Sequence, residues 1–203
     1  MEQRQLRSVA TTFETREDGD SLIIDAYFAV YNSNYDIAPD MSESIAPGAF
    51  QNSLGNDIRA LINHDTTLVL GRTAAHTLEL RDDSHGLFGS IVINRNDSDA
   101  MNAYARVKRG DVSQCSIGFN IIKEDTEVRE DGSVHWTIRE ANLIECSLCT
   151  FPAYEATSAS ARAKERDEIR NREFAAWKER TILKLKGEKD NGTESTGFEK
   201  EDR

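Results

Sequence analysis

The sequence has no run of about 18 or more apolar residues, which is what a bilayer-crossing helix needs. Its opening, Met1-Glu2-Gln3-Arg4-Gln5-Leu6-Arg7, has no apolar core of a secretory signal. A cytosolic chain is therefore expected. There are only three cysteines, Cys115, Cys146 and Cys149. An odd count without an export signal predicts reduced thiols. Cys146-Ser-Leu-Cys149 matches C-x-x-C, but no second pair accompanies it. It lies in a stretch that reads as a strand, where residues three apart face opposite ways. Buried core thiols are the expectation there, ahead of a zinc or redox site, and no metal or cofactor is expected. Positive charge is scarce: 25 Lys and Arg stand against 36 Asp and Glu, for a net −11. Such an acidic chain is not a general nucleic-acid binder. There is no G-x-S-x-G elbow, P-loop or H-E-x-x-H, and no internal repeat.

What is present is 203 residues, 38% of them hydrophobic, enough for one ordinary domain with a real core. In residues 22–30 the even positions Leu22, Ile24, Ala26, Phe28 and Val30 are apolar, while Asp25 interrupts the odd face; this is a half-buried strand. Residues 31–47 carry Asn, Ser, Asp and two prolines and read as a loop. Residues 48–54 fit one or two helical turns. Ile58, Ala60 and Ile62 line one face of a strand that ends on His64. Further strands are expected over 67–70, 75–81 and 87–93. Residues 98–110 read as a helix, with Ser98 as N-cap, Lys108 and Arg109 in the last turn and Gly110 beyond it.

In residues 112–122 the odd positions Cys115, Ile117, Phe119 and Ile121 are apolar, and the even positions Gln114, Ser116, Gly118 and Asn120 are small or polar. That strand buries one face and presents Ser116 on the other. Residues 124–133 read as a charged hairpin tip, followed by strands over 134–139 and 142–150. Pro152 and Tyr154 close the domain. Residues 160–187 carry 9 Lys and Arg against 5 Asp and Glu, a net +4 on an acidic body. They read as a solvated helix with a thin stripe of Ile169, Phe174, Trp177 and Leu185. Residues 188–203 are polar and expected to be disordered. The layout is a β-rich domain over 1–157 with one internal helix, a charged helical tail over 158–187, and the polar end. Many short strands with turn signals favour a barrel or a sandwich.

Three residues can be assembled into a site. A serine hydroxyl such as that of Ser116 is a poor nucleophile until a neighbouring base takes its proton. The imidazole of His64 can do so near neutral pH. Glu145 interrupts an apolar run, where an ionised carboxylate is costly without a partner. A carboxylate on the far imidazole nitrogen would fix the tautomer. The bland alternative for Glu145 is an ion pair with Arg139 or Arg72. Gly118 would let a substrate backbone come close. Asp65 is a rival third member, but adjacent strand residues diverge. Cys115 is a rival nucleophile on the apolar face. His76, His85 and His135 lie in turn or polar contexts.

Four segments in order carry a family likeness: Glu43-Ser-Ile-Ala-Pro-Gly-Ala-Phe50, Leu61-Ile-Asn-His-Asp65, Cys115-Ser-Ile-Gly-Phe119 and Leu143-Ile-Glu-Cys-Ser-Leu-Cys-Thr-Phe-Pro-Ala-Tyr154. Over about residues 8–157 the chain resembles the prohead serine proteases of tailed bacteriophages. The resemblance implies that His64 and Ser116 are catalytic, with Glu145 at the acidic third position. It departs from the pattern at Cys146 and Cys149, where Val-like residues are usual. It implies an α+β fold, a β-barrel-like core ringed by helices as in herpesvirus assemblins, with the chain order His, Ser, Glu. It implies cleavage of scaffold protein or of scaffolding segments of the major capsid protein, and self-cleavage. The implied place is the assembling prohead in the host cytoplasm. No membrane, no specific nucleic acid and no cofactor are implied; a homodimer follows by analogy with assemblins. The basic tail is then a candidate for autocleavage or for docking on scaffold or capsid protein. The rival reading is a non-enzymatic capsid-assembly or scaffolding protein.

Overall fold

The computed structural model describes residues 4–151 and 156–190. Eleven strands and two helices are found among them. The strands are β1 Gln5–Ala10, β2 Glu14–Asp18, β3 Ser21–Val30, β4 Tyr35–Ala38, β5 Met41–Ile45, β6 Arg59–Ile62, β7 Asp65–Arg72, β8 Leu78–Asp82, β9 Gly86–Ile93, β10 Gln114–Val128 and β11 Val134–Cys149. Helix α1 spans Ser98–Arg109 and α2 spans Ala156–Asp190. Short 3-10 turns cover Gln51–Ser53 and Thr73–Ala75.

The fold is mixed α+β and mostly strand, but the expected barrel does not close. The described strands form two open sheets, one of seven strands and one of four in the order β2-β3-β9-β8. In the larger sheet β1, β10, β11, β5 and β4 lie side by side, and β6 joins β11 to β7. The branch in the larger sheet comes from the length of β11. Its first half pairs in parallel with β5 and its second half in parallel with β6. One strand therefore brings the Glu43 region and the His64 hairpin to the same sheet. Both sheets turn an apolar face to a common core that includes Ile24, Phe28, Phe50, Ile91, Ile117 and Phe119. The body, residues 1–159, and the remainder form two separate compact units.

Several boundaries differ from expectation. The stretch 31–47 holds β4 and β5; Ser42 and Ser44 mask a strand whose alternate residues Met41 and Ile45 are buried. The hairpin tip is shorter and its strands longer, because charged residues 124–128 still pair with 134–138. The two strands expected after it are one continuous β11, kept in pairing by irregularities near Gly118 and Lys123. Helix α1 is capped by Asp97, whose carboxylate accepts from the N–H groups of Asp99 and Ala100, not by Ser98. Gly110 closes it at φ 87°, in the left-handed region that suits glycine. Helix α2 leaves Phe174, Trp177 and Leu185 more than half exposed. Pro152, Tyr154 and residues 191–203 lie outside the described residues.

Candidate active site

The site grows from one face of the β10–β11 pair. Ser116 stands opposite Ser147, Gly118 opposite Glu145 and Gln114 opposite Cys149. Opposed residues share a face, as do residues two apart. Ser116, Gly118, Glu145, Ser147 and Cys149 therefore lie together, and all are buried. Ser116 is fully buried, where the alternation predicts only a polar, presented face. Period 2 tells which residues share a face and not whether that face meets water.

His64 reaches this face from a turn and not from a strand end. Strands β6 and β7 are joined by Asn63-His64, with Ile62 opposite Asp65. Both turn residues have positive φ, 51° and 61°. That is the pattern of a two-residue type I′ hairpin turn, which accepts Asn readily and His much less so. The turn is fastened to the end of β11. Asn63 N–H donates to the Leu148 carbonyl (2.8 Å), Thr150 N–H to Asn63 Oδ1 (2.9 Å) and His64 N–H to Ser147 Oγ (3.2 Å). A histidine held in an unfavoured conformation by three such bonds is positioned by its surroundings.

The imidazole Nδ1 lies 2.6 Å from Glu145 Oε1, and the Glu145 side chain is 2% exposed. Ser147 Oγ donates to the other oxygen, Oε2, at 2.7 Å. A carboxylate on Nδ1 takes the ring proton there and leaves the lone pair on Nε2, the tautomer of a general base. Gly118 serves a different purpose from the one expected. A Cβ there would fall 2.3 Å from Glu145 Oε1, so the missing side chain makes room for the carboxylate and not for substrate. Arg72, one of the alternative partners for Glu145, instead holds Asp57, and Arg139 holds Asp125.

Nε2 faces Cys149 Sγ at 3.7 Å. The Ser116 hydroxyl donates to the Arg7 carbonyl oxygen at 3.0 Å. The structure thus joins His64 to Glu145 and seats Ser116 on the adjoining strand of the same face, with its hydroxyl engaged elsewhere. Cys149 was missed as a site residue, although its signal is in the sequence: two positions from Ser147 and four from Glu145 on one strand means the same face. Burial and the nearby Glu145 charge push its thiol up to about 12, so it is protonated at neutral pH. Cys115 and Cys146 face the core, and burial raises both thiols well above their usual range. All three cysteines are free. His135 lies in strand β11 in a polar setting; its ring nitrogens meet Ser42 Oγ (2.8 Å) and Ser44 Oγ (2.9 Å). Asp65 is spent on its own turn, accepting from Thr67.

With that geometry in view, the family comparison is decisive. The caudovirus prohead serine protease model matches residues 11–172. The chain belongs to that family. It is 33% identical to the prohead protease of Enterobacteria phage HK97 over 148 residues, which is 71% of this chain and 61% of that protein. The chain thus spans less than two thirds of that relative's length. Among solved structures it is similar to the bacteriophage T4 capsid assembly protease, gp21, at 8% identity and TM-score 0.49, covering 72% of this chain and 97% of that one.

Proposed function

We propose that the chain is a serine endopeptidase that cleaves scaffold protein, or scaffolding segments of the major capsid protein, inside the assembling prohead in the host cytoplasm. The observation that carries this is the buried Glu145–His64 pair, 2.6 Å apart, on the face that holds Ser116. Ser116 Oγ attacks the scissile carbonyl carbon as His64 Nε2 takes its proton. Glu145 stabilises the imidazolium and holds the ring. The C–N bond breaks, and the departing amine receives the proton from His64. Water then adds to the acyl-enzyme, giving a proton to His64; the ester C–O bond breaks, His64 returns that proton to Ser116 Oγ, and the free acid leaves. Self-cleavage would follow from the same chemistry acting on an exposed segment of this chain. The chain order His64, Ser116, Glu145 fits the assemblin pattern, and the prospect of a homodimer rests on that resemblance.

The 3.7 Å contact between Nε2 and Cys149 favours one second reading, a Cys149 nucleophile on the same base. Its raised thiol weighs against it, since the thiolate is the nucleophile. A serine-directed fluorophosphonate, followed by peptide mapping, separates the two. An adduct on Ser116 that disappears in His64→Ala and persists in Cys149→Ala supports the serine reading. An adduct on Cys149, or one on Ser116 that ignores His64, sinks it.

A further inference from the structure

Strand β1 is an edge strand bonded along β10, with Arg7 opposite Ile117 and Ser8 opposite Ser116. An extended segment added to the strand that bears a nucleophile is how a peptide substrate is held by β-augmentation. This segment precedes residue 11, where the family match begins. Its contacts reach both halves of the site. The Ser116 hydroxyl donates to the Arg7 carbonyl, and Arg4 Nη1 lies 4.0 Å from Glu145 Oε1.

The Arg7 side chain leaves the opposite face of the sheet and is 6% exposed. Its Nε and Nη2 donate to Glu43 Oε1 and Oε2 at 2.5 and 2.9 Å. Its guanidinium lies over the rings of Tyr35 (5.7 Å) and Phe119 (5.9 Å). A cavity of about 200 Å³ adjoins it, lined in part by Arg7, Tyr35, Glu43 and Ile117. A buried ion pair adds little net stability, but it discriminates strongly between side chains. The paired donors match a carboxylate in a way that a lysine ammonium cannot. The carbonyl of one residue thus meets the hydroxyl of Ser116 while its side chain fills an acidic, aromatic-lined pocket.

We propose that β1 is an internal pseudosubstrate, and that the Glu43 pocket selects arginine at the residue whose carbonyl meets Ser116 in any segment that displaces it. The inference rests on Ser116 as nucleophile. In the resting state the hydrogen bond to Arg7 withholds the Ser116 proton from His64. A substrate strand with an arginine at that register takes the place of β1 and restores the same contacts.

Two measurements on the full chain test it. The first is the rate at which a fluorophosphonate labels Ser116. Arg7→Ala/Glu43→Gln, which leaves no buried charge unpaired, should be labelled about tenfold faster than the wild type, because the open state is more populated. Equal rates overturn the pseudosubstrate. The second is hydrolysis of two fluorogenic peptides that differ only in Arg or Glu before the scissile bond. The wild type should favour Arg by about 100-fold in kcat/KM. Arg7→Glu/Glu43→Arg, which keeps an ion pair and hence the fold, should favour Glu. An unchanged preference overturns the pocket. Labelling at equal rates leaves the Ser116 reading standing, whereas folded variants that neither label nor hydrolyse take it down along with this inference.

Discussion

The two faces of the β10–β11 pair are equally buried and chemically opposite. On one, Cys115, Ile117, Phe119, Cys146 and Leu148 are each at most 2% exposed and join the apolar core. On the other, Ser116, Glu145, Ser147 and Cys149 are also at most 2% exposed, yet they hold an ionisable pair and a network of hydroxyls. Burial of apolar side chains stabilises; burial of polar ones is tolerated only where each finds a partner. The core face therefore carries the stability, and the other face holds the proposed catalytic groups at some cost to stability.

Substitutions should separate the two faces. On the site face, Ser116→Ala should lower hydrolysis by about 10⁴-fold or more with melting unchanged, read by peptide hydrolysis and calorimetry. A folded variant within tenfold of the wild type would break the contrast. Gly118→Ala should come next, because its Cβ meets the Glu145 carboxylate. It should lose about 100-fold in rate through a misplaced His64, and roughly 1–3 kcal/mol in stability. On the core face, Ile117→Ala should remove about 2–5 kcal/mol in denaturant unfolding while the rate per folded molecule holds.

The smallest effect sharpens the comparison along β11 itself. His135 is buried and polar like the site residues, but both its ring nitrogens meet serine hydroxyls, whereas His64 meets a carboxylate. Burial, with the Arg129 charge second, lowers its pKa from the usual 6.5. The folded state thus resists a proton that the unfolded state accepts. Its contribution to stability is full above about 6.5 and is lost as pH falls toward the depressed folded value. Melting temperature should fall between pH 7.5 and 5, and fall less in His135→Gln. Parallel curves would remove His135 from the account.

Much of this was legible in the sequence, for a physical reason. Strand periodicity assigns residues to faces, so Ser116 and Gly118 could be placed on one face by alternation, Glu145 stood out as a carboxylate interrupting an apolar run, and Ser98 to Gly110 marks a helix whichever residue caps it. Residues whose role depends on distant partners were hidden. Strand β5 has too few apolar residues to announce itself, because Glu43 is satisfied by Arg7 from 36 positions away. His64 looked like the last residue of a strand, because a type I′ turn adds only two residues and its positive φ leaves no mark on composition. Gly118 was taken as room for substrate, when the space belongs to a carboxylate on the next strand.

The most direct test is co-expression with the cognate capsid and scaffold proteins, following fragments by mass spectrometry in the wild type and in Ser116→Ala. The account predicts capsid or scaffold fragments with the wild type and intact proteins with the folded variant. Equal cleavage by both would contradict Ser116 as nucleophile, and particle assembly with no cleavage by either would favour a non-enzymatic assembly protein.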